Sequence, residues 1–156
     1  MCGILPPDKD WIDLLGALLT PVIAALGIYI AHKQGQVDKN RLKYELFDKR
    51  YDVYEKIGAY IAEILISGNA DPKASVQFIR DTKSTYILFG DDISEFVTEI
   101  YSKAVTLHAL DEGLNDLQDE ERSKNIKAQL EIKDWYSKHL KSMEKDLFAK
   151  YLRLKH

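Results

Sequence analysis

The chain has 156 residues, of which 30% are charged, and a formal net charge of −3, a size that suits one domain. A broad nucleic-acid surface needs a basic excess, so this charge balance predicts no direct contact with nucleic acid. The single cysteine, Cys2, excludes an internal disulfide framework. With four prolines, eight glycines and no low-complexity tract, the chain is expected to be ordered.

The first apolar stretch runs from residue 12 to residue 31, and its only charged residue is Asp13. A helix needs roughly 20 apolar residues to cross a bilayer core, and this stretch supplies that number. A secretory signal would begin with a positive segment, whereas the head here, "MCGILPPDKD", is net acidic. A buried core helix would be shorter and carry a polar stripe. The stretch therefore predicts a single transmembrane helix in contact with the lipid bilayer.

The charges on either side of this stretch predict its orientation. Acidic residues dominate before it, and cationic residues follow it: Lys33, Lys39, Arg41 and Lys43. Because lysine and arginine accumulate on the cytoplasmic side, we expect a single-pass protein with its N-terminus outside and its large C-terminal part in the cytoplasm. The predicted parts are an extracytoplasmic head, a transmembrane helix and a cytoplasmic helical bundle, over residues 1–11, 12–31 and 32–156.

Small residues recur along the span at alternating spacings of three and four, at Ala17, Thr20, Ala24, Gly27 and Ala31. Such a stripe lets helix backbones approach closely, which favours association in lipid. The stripe predicts a homo-oligomer. Alanine and glycine are also common in membrane helices, so a chance pattern stays an open alternative.

After the span, the apolar residues keep the helical period, and no strand-like alternation occurs. Helices are predicted over about 36–66, from Pro72 (capped by Asp71) to 89, from a cap at Asp92 to Gly113, and over 119–152. The predicted fold class is all-α, with the N-terminal transmembrane helix continuing into an antiparallel four-helix cytoplasmic bundle. Its expected core contains Leu42, Leu46, Tyr54, Ile57, Ile61, Phe96, Ile100, Leu140 and Leu147.

No sequence motif points to catalysis, since GxxxxGK[ST], GxGxxG, HExxH and GxSxG are all absent. The four histidines are far apart in the sequence, and none has a partner at metal-ligand spacing. Two carboxylate clusters, Asp91–Asp92 and Asp119–Glu121, fall at predicted helix starts, where acidic residues stabilise the helix dipole. The expectation is therefore a protein that is not an enzyme, with no metal, cofactor or small-molecule substrate.

Two stretches carry a resemblance: "LKYELFDKRYDVYEKI", which follows the span, and "YILFGDDISEFVTEI" further on. With the span, they resemble a loosely defined group of bacterial single-span membrane proteins with a helical cytoplasmic domain. Some small proteins of this layout resemble membrane-acting effectors of anti-phage defence, including those encoded beside retrons. The resemblance covers about half of the chain. It implies a location in the bacterial inner membrane and no catalytic residue.

Two functions stay open. In the first, a partner or the packing of the bundle restrains the protein until its spans associate and disrupt the bilayer. In the second, the span is only an anchor and the bundle docks a cytoplasmic protein partner. A receptor or sensor is a weaker third reading, because the predicted outer segment of about ten residues is too small to bind much.

Overall fold

The computed structural model describes residues 9–153, and the side chains of 16–19 and 21–153. Two compact units are distinguished, Met1–Tyr44 and Glu45–His156. The helical elements, in chain order, are α1 (Lys9–Ser67), α2 (Pro72–Thr82), α3 (Thr85–Leu88), α4 (Asp91–Gly113), a 3₁₀ turn (Leu114–Asp116), α5 (Asp119–Met143), a π segment (Glu144–Phe148) and α6 (Ala149–Leu152). No strand occurs in this described part, and the predicted all-α class is confirmed.

The first unit consists, in its described part, of one stretch of α1. Every described side chain from residue 16 to residue 46 is exposed. The helix continues through Pro21, whose ring removes one backbone hydrogen-bond donor. The predicted core positions Leu42 and Leu46 belong to this exposed run, with 58% and 37% of their surface accessible. Placing these two residues in the core was wrong, because the helical apolar pattern extends beyond the stretch that other helices cover.

The second unit is a helical bundle around an apolar core. Of the predicted core residues, Ile57, Ile61, Phe96 and Ile100 are buried. Tyr54, Leu140 and Leu147 are partly buried and pack against this core. The largest fully buried side chain, Tyr136, donates a hydrogen bond from its hydroxyl to the Ile100 carbonyl at 2.7 Å. This bond satisfies the one polar group that the ring carries into the core.

Contacts along the helices show how the bundle runs. Near one end, Arg50 of α1 contacts Tyr151 of α6, and at the other end Gly68 lies near Lys133 of α5. The 50–67 part of α1 is therefore antiparallel to the last helical stretch. Between α4 and α5, Asn125 donates to the Leu110 carbonyl at 3.0 Å, while Tyr136 reaches Ile100, so this pair is antiparallel too.

The predicted second helix is broken. α2 begins as expected, because the Asp71 carboxylate accepts a hydrogen bond from the Ala74 backbone N–H and Pro72 opens the helix. It ends at Thr82 rather than running to residue 89. The Thr82 hydroxyl donates to the Phe78 carbonyl and the Thr85 hydroxyl to the Thr82 carbonyl. Such side-chain bonds compete with the helical ladder, and a separate turn, α3, follows.

The cap of α4 also differs from the prediction. Gly90, which has no side chain to make a capping bond, is the N-terminal cap residue. Asp92 lies inside the first turn and bonds to side chains from the other end of the chain. The capping-box interpretation was therefore wrong, and the helix begins two residues earlier than expected.

Candidate membrane span and the bundle contacts around Arg50

The first candidate site is the apolar part of α1. By length and composition this helix is able to cross a membrane, and no residue of its most apolar part is buried. Large apolar side chains are exposed throughout: Leu18, Leu19, Val22, Ile23, Leu26, Ile28, Tyr29 and Ile30. Water-facing apolar surface of this extent is rare on a soluble monomer and marks a surface that lipid or another protein covers.

Four members of the small-residue stripe, Ala17, Ala24, Gly27 and Ala31, are exposed on this helix. The side chain of Thr20, the fifth member, lies outside the described residues, as do the side chains of Trp11 and Asp13. A Cβ built at Gly27 meets nothing within 4 Å. These four residues therefore form an open face of the helix, with room for a close neighbour.

The end of the predicted span combines an aromatic and a basic residue. The Lys33 ammonium lies 6.0 Å from the centre of the Tyr29 ring, and both side chains are exposed. One turn further, the side-chain amide of Gln36 and the ring of His32 are 3.3 Å apart. Tyrosine and lysine are the residue types that favour the membrane interface, so this turn suits the headgroup region.

The second candidate site is a set of contacts around Arg50 that the sequence analysis missed. The Arg50 Nε donates to the Leu88 carbonyl at 2.9 Å, and a terminal nitrogen donates to the Tyr151 carbonyl at 3.4 Å. The guanidinium lies 5.9 Å from the centre of the Phe89 ring and 5.5 Å from that of Tyr151. Arg50 thus joins α1 to the turn before α4 and to α6.

Tyr151 extends these contacts to the start of α4. Its hydroxyl accepts from the Gly90 backbone N–H at 2.9 Å and donates to Asp92 Oδ1 at 2.7 Å. Lys150 pairs with Asp92 Oδ2 at 3.0 Å. A Cβ at Gly90 would lie 2.6 Å from the Tyr151 hydroxyl oxygen, so the close approach requires glycine at this position. We refer to Arg50, Gly90, Asp92, Lys150 and Tyr151 as the Arg50 cluster.

The charges of this cluster reinforce one another. Burial acts to raise the pKa of Asp92, but the hydrogen bonds from Tyr151 and Lys150 outweigh it and hold that pKa below its ordinary value. The hydrogen bond to Asp92 correspondingly raises the pKa of Lys150. The ion pair therefore favours the charged form of both groups.

The Arg50 cluster brings together the two stretches on which the resemblance rests. Arg50 belongs to the first stretch, and Leu88, Gly90 and Asp92 belong to the second. Their spacing of about forty residues hid the contact, since helical periodicity reports which face is apolar and not which distant residues meet. The one available signal was an arginine directly beside an apolar stripe, which suggests a partly buried cation with a carbonyl partner.

His139 and the two carboxylate clusters occupy structural positions in the described part of the chain. The His139 ring bonds the Trp135 carbonyl at 2.8 Å and packs against aromatic rings. Asp91 and Asp92 lie in the first turn of α4, and Asp119 and Glu121 lie in that of α5. In the described part of the chain, no three histidine, cysteine or acidic residues cluster so as to hold a metal.

Comparison of the chain with models of protein families, with curated proteins and with solved structures finds no match.

Proposed function

We propose that this chain is a single-pass protein of the bacterial inner membrane that acts without enzymatic chemistry. Residues 12–31 cross the bilayer, residues 1–11 lie outside, and residues 32–156 lie in the cytoplasm. The observation that carries the proposal is the exposure of every described side chain of α1 from residue 16 to residue 46, next in sequence to a bundle with its own buried core. Lipid supplies the cover that the apolar part lacks.

The native cysteine allows a direct test of this orientation. A membrane-impermeant maleimide should label Cys2 in intact spheroplasts. A Cys2→Ser chain that carries Lys127→Cys on α5 should become labelled only after the membrane is permeabilised. Labelling of the Lys127→Cys chain in intact spheroplasts would reverse the proposed topology, and equal labelling of both chains in a soluble fraction would remove the membrane assignment.

The more specific proposal is a membrane-disrupting effector of bacterial anti-phage defence, which a partner holds in check until the spans associate. Two observations support it. The small-residue face, including Ala24 and Gly27, is open, and small residues are what close helix packing in lipid requires. The chain also shares its layout with the group of single-span proteins described above, some members of which resemble membrane-acting effectors.

Substitutions on that face test the specific proposal. Gly27→Leu should obstruct the close approach and lower span self-association by about tenfold, in line with about 1.4 kcal/mol of packing. The matched control is Ile28→Leu, which changes the neighbouring position and keeps an apolar residue of the same size. A dye for membrane potential should report depolarisation on induced expression of the control but not of Gly27→Leu. Depolarisation by both would show that this face is not involved.

The alternative is an anchor or scaffold whose bundle docks a cytoplasmic partner. A groove of about 260 Å³ between α1 and α2 favours it, lined among others by Lys56, Tyr60, Glu63, Gln77 and Asp81. Replacing residues 12–31 by an unrelated apolar span of equal length separates the two functions. An effector should lose its effect on the membrane potential, whereas an anchor should keep all of its activity.

A further inference from the structure

A second exposed surface lies on α2 and α3. Val76, Ile79, Tyr86 and Ile87 are all exposed, and the last two have 79% and 83% of their surface accessible. The opposite side of the same two elements is buried through Phe78, Thr82 and Thr85. The bundle therefore covers one side of these short elements and leaves an apolar side exposed.

The uncovered side is basic as well as apolar. Lys73, Arg80 and Lys83 are exposed, and helical spacing places them alongside Val76 and Ile79. In the part of the chain that the structure describes, none of these three cations has a hydrogen bond or an ion pair. By contrast, Asp81 lines the groove against α1 and accepts a bond from Gln77 at 2.9 Å. The acidic residue of α2 thus lies away from its basic strip.

An acidic surface adjoins the same apolar tip. Tyr86 borders a shallow groove along α4 that Asp91, Glu95 and Glu99 also line. Glu99 is paired with Lys103 on its own helix at 3.5 Å. Asp91 and Glu95 are exposed, with no ion pair among residues 9–153. The apolar tip at Tyr86 and Ile87 therefore adjoins an acidic strip on α4, and Lys83, at the end of the basic strip of α2, lies three residues before Tyr86 in the sequence.

Helical spacing places the basic strip away from the groove against α1. Ala74, Gln77 and Asp81 line the groove against α1. At 100° per residue, Ile79 and Lys83 fall on the opposite flank of α2, and Tyr86 of α3 borders the α4 groove. The basic strip of α2 thus ends beside the apolar tip, which the acidic strip of α4 also adjoins.

We infer that the basic strip, the apolar tip and the acidic strip together form the face through which two cytoplasmic bundles of this chain bind each other. In a two-fold dimer each copy contributes the same patch. The basic strip of each copy (Lys73, Arg80 and Lys83) therefore contacts the acidic strip (Asp91 and Glu95) of the other copy. Tyr86 and Ile87 supply the apolar centre, and tyrosine is a residue type enriched in such contacts. The contact involves no residue of the span.

The charge pattern favours a second copy over an anionic lipid surface. A lipid headgroup layer attracts the lysines and the arginine, but it repels Asp91 and Glu95 beside the same tip. A copy of the chain complements both signs at once. The inference rests on the proposed function in one respect, because a shared membrane brings copies together at high effective concentration.

A charge-swap experiment on the full-length chain in lipid vesicles tests the contact. Energy transfer between donor- and acceptor-labelled copies, both carrying Cys2→Ser and Lys127→Cys, reports the proximity of bundles. All chains also carry Gly27→Leu, so that association through the span does not contribute. Reversing the charge of the basic strip with K73E/R80E/K83E, or that of the acidic strip with D91K/E95K, should lower the fraction of dimer by about tenfold.

Mixing the two reversed chains should restore the transfer, because both strips are then complementary again in the mixed dimer. The matched control K124E/K138E/K141E changes the net charge by the same amount as K73E/R80E/K83E, but on the exposed side of α5. It should leave the energy transfer unaltered. Circular dichroism and thermal unfolding identify any variant that fails to fold. In that case the single substitution Lys83→Glu replaces the basic-strip variant, and Glu95→Lys replaces the acidic-strip variant.

The inference is overturned if the unreversed chains show no transfer in the Gly27→Leu background, if reversal leaves transfer unchanged, or if mixing fails to restore it. Loss of transfer on reversal of the basic strip alone, with no effect of D91K/E95K, would assign the face to lipid instead. These outcomes are distinct from failure of the proposed function, which the labelling of Cys2 and the span replacement measure without reference to this face.

Discussion

The two units of the chain use the same apolar residue types in opposite environments. In the bundle, isoleucines such as Ile57, Ile61 and Ile100 are wholly buried. In the apolar part of α1, isoleucines such as Ile23 and Ile28 are exposed over more than half of their surface. The bundle therefore completes its core within the chain, while the first unit needs another apolar phase or partner. Composition alone does not distinguish these two situations.

The largest expected effect contrasts a buried and an exposed position on the same helix. Ile61→Asp places an unpaired carboxylate in the core and should unfold the bundle, at a cost of about 4 kcal/mol or more. Leu42→Asp, at an exposed position, should change the free energy of unfolding by about 0.5 kcal/mol or less. Chemical denaturation followed by circular dichroism measures both. Similar losses for the two variants would mean that the core extends to residue 42.

An intermediate effect is expected at Arg50. Arg50→Met keeps the apolar stem but leaves the Leu88 and Tyr151 carbonyls without their donor, which should cost about 2 kcal/mol of bundle stability. Lys49→Met, at the exposed neighbouring position, is the matched control and should be nearly neutral. Hydrogen exchange of the 88–92 and 149–152 backbone amides should increase in Arg50→Met alone. Unchanged exchange there would show that the Arg50 cluster does not hold these segments together.

A smaller effect concerns acid stability. Because the folded-state pKa of Asp92 is lowered, its contribution is fully present above the ordinary carboxyl pKa and is lost as the pH falls through the folded value. The wild-type bundle should therefore lose stability below about pH 4, and Asp92→Asn should lose less over that range. Asp91→Asn is the control at the adjacent exposed position. Thermal unfolding from pH 7 to pH 2.5 measures the slopes, and equal slopes for Asp92→Asn and wild type would contradict this role.

The sequence was sufficient for the helical class, the Asp71 cap, the start of α5 and most of the bundle core. These features depend on local signals or on periodicity. It failed at Leu42 and Leu46, because a stripe does not indicate where the covering helices end. It also failed between Thr82 and Thr85, where side-chain hydroxyls interrupt a regular apolar pattern. The Arg50 cluster joins segments that are far apart in the sequence, and neither a local signal nor helical periodicity predicts such contacts.

The central claim is that residues 12–31 lie in lipid, and extraction of membranes with alkaline carbonate tests it most directly. The full-length chain should stay in the membrane pellet and be released only by detergent, whereas a chain lacking residues 1–31 should move to the supernatant. If carbonate alone releases the full-length chain, the apolar part of α1 is covered by protein instead of lipid, and the account is contradicted.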